Sequence, residues 1–281
     1  MRMVVVWTLM IVGVVLAGLL VWRQLDHWAD SAEMNRLIAH QPPDPPRFSA
    51  DMVTDLPEPA RRFFTFAIDE GAPLYTVARF EMQGQFGMGD KAAPGYMPMT
   101  ATQVLAAPHG FVWAMSGGAG VMRMSGSDSG MWTRFWLYGL VPVARFGGNP
   151  DHRRSAFGRY VAEAVFWTPA AVLPGPNVTW EPVSERVARM TMRYGSLEQS
   201  VDVTVAEDGR PLHLAFMRWS DANPEKVHQL QPFGGYLSEF REFDGFRLPT
   251  HVEAGNHFET EDYFPFFIAD VTEVTFSQPD Q

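Results

Sequence analysis

Arg159 and Glu163 are the residue pair with the most chemistry to offer. They lie four apart in 151–167 (DHRRSAFGRYVAEAVFW), which reads as a helix. At that spacing they meet on one helix face. Guanidinium and carboxylate can neutralise each other there, or stand at the mouth of a cavity. In the second case Arg159 or Arg154 would hold an anionic headgroup. Glu163 with Asp128 or His152 also has the composition of a general acid and base. In Gly126-Ser127-Asp128-Ser129-Gly130, Asp128 stands where a nucleophile elbow needs serine, so the segment reads as a tight turn between strands. Gly117-Gly118-Ala119-Gly120 lacks the spacing and the following helix of a phosphate cradle. His251 and Glu253 share one face of a strand, with His257, Glu259, Glu261 and Asp262 beyond. Imidazole with carboxylate suits zinc, but no H-E-x-x-H occurs, and acidic residues at a strand end are ordinarily solvated. The expectation is no metal, no cofactor and no assigned catalytic residue.

Composition narrows the classes. The chain has 281 residues, 46% hydrophobic and 19% charged, which excludes a disordered chain. It has no cysteine, so thiolate metal sites, thiol nucleophiles and disulfides are excluded. Net charge is −10, and basic residues are scattered apart from Arg61–Arg62 and Arg153–Arg154. A nucleic-acid partner needs a basic stripe, and none is visible.

Residues 3–22 carry no formal charge and are bracketed by Arg2 and Arg23. Twenty helical residues span the ~30 Å core of a bilayer. The run is longer than the h-region of a cleaved signal, and no A-x-A site follows closely, so it reads as an uncleaved anchor. The positive charges flanking it are nearly tied. A short N-terminal tail that stays inside would place a single-pass protein in the inner (cytoplasmic) membrane with its main domain extracytoplasmic. The expected organisation is a transmembrane anchor over 1–23, a juxtamembrane helix and Pro-rich linker over 24–50, and a domain over 51–281. The linker's four prolines (42, 43, 45, 46) favour an extended spacer.

A helix is expected from an N-cap at Asp55 to Ile68. Strands are expected at 75–86, 96–106, 110–116, 120–125, 131–138, 177–181, 186–194, 198–206, 211–219, 236–243, 246–254 and 266–276. Asp208-Gly209 and Asp244-Gly245 are hairpin turns, which implies an antiparallel meander. In 211–219, Leu212, Leu214 and Phe216 face one way and His213, Ala215, Met217 and Trp219 the other. Strand 131–138 is apolar on both faces. The fold class is therefore mainly β with helices (α+β): a strongly curved antiparallel sheet, a half or open β-barrel, with helix 151–167 packed in or against its concave face. Trp113, Trp136, Phe157 and Trp167 would line the apolar part of a groove there. Arg154, Arg159 and Glu163 would serve its polar end. The methionine clusters suit core filling or a pocket for acyl chains.

LPEPARRFF (56–64), GFVWAM (110–115), WLYGLVPVARFGG (136–148), GRYVAEAVFWTPAAVLP (158–174) and PFGGYLSEFREFDGFRLPTHVE (232–253) carry a resemblance. The spacing Arg159, Glu163, Trp167, Pro169 is its most specific element. Together they resemble a bacterial family known only as a domain of unknown function, with an N-terminal membrane anchor, distantly similar to lipoprotein-carrier-like half-barrel proteins. That resemblance implies a membrane-anchored envelope protein handling a lipid-like or other apolar ligand in the concave face. Two alternatives stay open. One is an envelope-associated, hydrolase-like enzyme using Glu163 with Asp128 or His152. The other is a non-catalytic scaffold for a protein partner.

Overall fold

The computed structural model describes residues 1–276; the end of the expected domain, 277–281, lies outside them. Thirteen strands form one antiparallel sheet in the order β6-β5-β4-β3-β2-β1-β13-β12-β11-β10-β9-β8-β7. They are β1 (Ala78–Gly87), β2 (Tyr96–Ala106), β3 (Gly110–Ala119), β4 (Met122–Ser129), β5 (Trp132–Leu137), β6 (Val141–Gly147), β7 (Val178–Pro182), β8 (Val187–Tyr194), β9 (Leu197–Val205), β10 (Pro211–Ser220), β11 (Gln229–Phe243), β12 (Phe246–Asn256) and β13 (Phe267–Thr275). Two meanders are thus joined where β1 pairs β13. Short turns force this topology. Asp244 and Gly245 both take left-handed backbone, φ 48° and 87°, as a two-residue hairpin requires.

Three expectations are corrected. Residues 126–129 belong to β4 rather than to a turn, and the chain reverses at 130–131. β6 was not expected. It is an edge strand with Pro142 inside and exposed Val141 and Val143, so its alternation is inverted relative to a core strand. β11 starts seven residues before the expected 236, because Pro232 and Gly234-Gly235 are accommodated inside the ladder.

The sheet curls strongly. Tyr194 at the end of β8 comes within 3.4 Å of His109, just before β3, although these strands stand eight places apart in the order. Helix α3 (Pro150–Trp167) fills part of the resulting hollow and touches strands of both arms, β2 and β3 as well as β9, β10 and β12. Asn149 caps it by accepting from the His152 N–H. Helix α2 (Glu58–Ala67) packs on the same apolar core, with Phe63 and Phe64 against Trp180. Its N-cap is Pro57, without a side-chain bond; Asp55 lies before it and does not cap.

The convex face is covered as well. The apolar run and the segment after it form one unbroken helix, α1 (Arg2–Ile38), rather than two. Its N-terminal part is long and apolar enough to cross a membrane, and none of that window is buried. Its C-terminal part lies on the sheet, where Leu37 packs with Val77, Val104, Ala106 and Val112. The Pro-rich segment is tied down too: Gln41 accepts from the Thr76 and Val77 N–H groups at 3.0 and 2.9 Å.

Candidate functional site

α3 is apolar around most of its circumference, as a helix inside a domain must be. One stripe at helical spacing is polar: His152, Ser155, Arg159 and Glu163. Gly158 lets the helix approach β9, since a Cβ there would stand 2.7 Å from Gln199 Oε1. The approach is incomplete, and a cavity of about 360 Å³ remains between α3 and the concave face of the sheet. The polar stripe forms one wall. The other wall is apolar, from Phe86, Trp113, Phe135, Phe216, Phe233 and Leu237. The rim includes Phe146 and Asp221, which stand exposed.

Arg159 organises the polar wall. Its Nε donates to Glu163 Oε1 and its Nη1 to Asp128 Oδ2, each at 2.7 Å. Gln103, fully buried, donates to Glu163 Oε2 at 2.7 Å. Burial works against the charge of Arg159, but Glu163 and Asp128 outweigh it and hold the pKa above the ordinary value. The guanidinium also lies over the rings of Phe111 and Trp113, at 4.6 and 5.3 Å. The pair is therefore both an intrahelical ion pair and part of the cavity wall. His152 Nε2 donates to the Ser129 carbonyl at 3.1 Å. No hydrogen bond joins His152 to Glu163 or Asp128 among the described residues, whereas Glu163 and Asp128 meet on Arg159.

Four of the expected residues meet here: Arg159, Glu163, Trp113 and Trp167. Three do not. Arg154 is exposed near the start of α3, stacked on Trp219 at 4.0 Å. Phe157 is sealed in the core beside Tyr160. Trp136 points to the opposite face of the sheet, where its Nε1 donates to Asp26 of α1 at 2.8 Å. Both faces of β5 carry large side chains because both meet a partner: Phe135 faces the cavity, and Trp136 and Arg134 face α1. Phe135 holds the cavity position that Trp136 was expected to hold. Among the described residues no methionine lines the cavity: Met82, Met97, Met99, Met115, Met190 and Met192 are core filler.

Arg218 and Phe216 on β10 were missed. Their signal was the alternation Leu212, Leu214, Phe216, Arg218, which continues the inward row by one residue. Arg218 lies over Phe233 at 5.0 Å, and its Nε is shut off from solvent without an acceptor. Burial, reinforced by the charge of Arg159, pushes its pKa down to about 10, so it remains a cation at neutral pH. Trp113 Nε1 is likewise buried without an acceptor.

His251 and Glu253 stand together on the convex side, with Asp270 2.7 Å from His251 Nδ1. Burial alone would lower the pKa of His251; Asp270 and Glu253 reverse this and raise it. Among the described residues no group of three or more acidic or histidine side chains could hold a metal ion.

Two solved structures resemble this one weakly. A LolA superfamily protein of Nitrosomonas europaea matches at TM-score 0.39 and 9% identity, over 78% of this chain and 92% of that one. A putative outer membrane lipoprotein-sorting protein domain of Vibrio parahaemolyticus matches at TM-score 0.37 and 10% identity, over 74% of this chain and 88% of that one. No curated protein matches the chain. Residues 46–268 match a family of unknown function, DUF6544. That span takes in α2, α3, β1 to β12 and the whole polar wall of the cavity, and the chain belongs to this family.

Proposed function

We propose that the protein is a single-pass membrane-anchored binder of a lipid-like ligand, which it holds between α3 and the curved sheet. The observation that carries this reading is the cavity itself, unfilled and walled on one side by aromatic and aliphatic side chains. At ~30 Å³ per methylene-sized group, 360 Å³ takes one chain of about a dozen carbons. Each buried methylene contributes about 0.8 kcal/mol before ordering costs. Residues 3–22 of α1 form the anchor, in the inner membrane with the domain on the extracytoplasmic side. Arg159, Glu163, Trp113 and Trp167 are ligand-facing. The acid–base alternative is less well supported, since Arg159 engages both carboxylates. A scaffold needs no cavity. Native mass spectrometry of protein extracted in mild detergent tests the reading. An adduct of acyl-lipid mass is expected; only apo protein, together with no binding of added fatty acid, would remove it. A C-terminal alkaline phosphatase fusion checks topology: activity is expected, and an inactive fusion would reverse the orientation.

A further inference from the structure

Arg218 has no ion pair and no hydrogen bond from its side chain among the described residues. It lines the cavity and lies over Phe233. The charged groups around it do not occupy it. Asp128 and Glu163 are both bound by Arg159, and Asp221 stands exposed at the rim. Arg218 is half-buried, and its Nε is sealed without an acceptor; a sealed donor is costly unless something else supplies the acceptor. The guanidinium's planar fork matches a carboxylate or a phosphate. We propose that Arg218 binds the acidic end of the ligand, making the cavity selective for an anionic amphiphile; this rests on the cavity reading above. Dodecanoate, dodecyl phosphate, methyl dodecanoate and inorganic phosphate, titrated calorimetrically against the detergent-solubilised chain and its Arg218→Met variant, test it. The wild type is expected to bind the two anionic amphiphiles at least tenfold more tightly than the ester. Arg218→Met should bind all three chains alike, and a single cooperative melting transition shows that the variant is folded. If the wild-type protein binds ester and acid equally, the proposal fails while the cavity reading stands. If inorganic phosphate binds as tightly as the amphiphiles, the site is one for a free anion and the proposal fails. If no chain binds, both fall.

The path of α1 carries a second inference. Arg23 bonds Ser125 of β4, Asp30 bonds Ser127, and Arg36 reaches the His109 carbonyl before β3. From Leu37 back to Arg23 the helix covers ~21 Å. β3 from Gly110 to Ser116, which pairs Ser125, covers ~20 Å. Helix and hairpin therefore run side by side, and the β3–β4 turn continues past Arg23 by ~14 Å, level with the apolar run. At this end Val121 is 85% exposed, Tyr138 53% and Val141 51%, with Arg123 exposed beside them. We infer that the β3–β4 and β5–β6 turns sit in the interface of the bilayer that residues 3–22 cross, a placement that rests on the proposed anchor. The cavity extends towards this end: Phe86 pairs Met97 and Phe267, near the row of the β3–β4 turn. The chain has no native cysteine, so Val121→Cys, Val12→Cys and Glu207→Cys can each carry one nitroxide. In vesicles of phosphatidylethanolamine and phosphatidylglycerol, the labels at 12 and 121 should collide with oxygen in preference to a water-soluble nickel chelate. The label at 207, at the opposite end of the strands, should do the reverse. A lipid-exposed 12 with an aqueous 121 overturns this inference alone; an aqueous 12 overturns the anchor as well.

Discussion

Arg159 is placed so that its loss would strand two carboxylates beside an aromatic wall. Arg159→Met is expected to lower the free energy of unfolding by about 3 kcal/mol, seen as a lower urea midpoint. An unchanged midpoint would mean that the cavity already solvates Asp128 and Glu163. His251 gives a separate pH signature. Its pKa is raised in the folded state, so the stabilisation is fully present below 6.5 and is lost as pH rises through the folded value. Asp270→Asn should flatten the pH dependence of the melting temperature above pH 6.5; a slope equal to wild type would contradict the pairing. Arg159 and Glu163 could be read from spacing alone, because i and i+4 meet on any helix. Arg218 was legible only as the next step of an alternation, and a lone arginine ending an apolar row resembles an ordinary surface residue. Arg154 has the charge without the position, since it stands off the stripe His152, Ser155, Arg159 and Glu163 and stacks on Trp219 instead.

α1 and β4–β6 are coupled by a buried polar cluster. Asp26, 3% exposed, accepts from Trp136 and Arg145 and pairs with Arg134; Asp30 pairs with Arg134 and accepts from Ser127. Burial alone would raise the pKa of Asp26, but the bonds from Arg145 and Trp136 and the charges of Arg134 and Arg145 hold it below the ordinary 3.8. That contribution is present above pH 3.8 and is lost as pH falls through the folded value. Asp26→Ala should release the C-terminal half of α1 from the sheet. Faster amide exchange in residues 24–38 would show this, while exchange in β10–β12 stays as in wild type; unchanged exchange in α1 would contradict the clamp. Hairpin turns and strand alternation made most of the strands legible. The face each strand presents was not legible where both faces are buried, and this is why Trp136 and Phe135 were exchanged. β6 escaped because an edge strand with an internal proline and outward valines carries no core pattern.

The molecule as a whole is a curved sheet covered on both sides, by α3 within and by α1 without. Its apolar N-terminal helix runs straight into the fold rather than through a free spacer. The half-barrel and its inner helix followed from meander turns and one apolar helix. The residual space beneath α3 did not, since it depends on how closely Gly158 and the small residues Ala156 and Ala162 let helix and sheet approach. Ala254, on the cavity wall, offers a way to close that space. Ala254→Phe should weaken acyl-chain binding at least tenfold with little change in melting temperature. Bound chain can be detected in place, because Trp113 and Trp167 line the cavity and brominated acyl chains quench indole on contact. Titrating the protein with a dibromo fatty acid should quench part of its fluorescence to saturation at one equivalent. The quenching should fall away in a Trp113→Phe, Trp167→Phe double variant and in Ala254→Phe. Quenching that never saturates, or that is undiminished in both variants, would mean that the chain binds elsewhere.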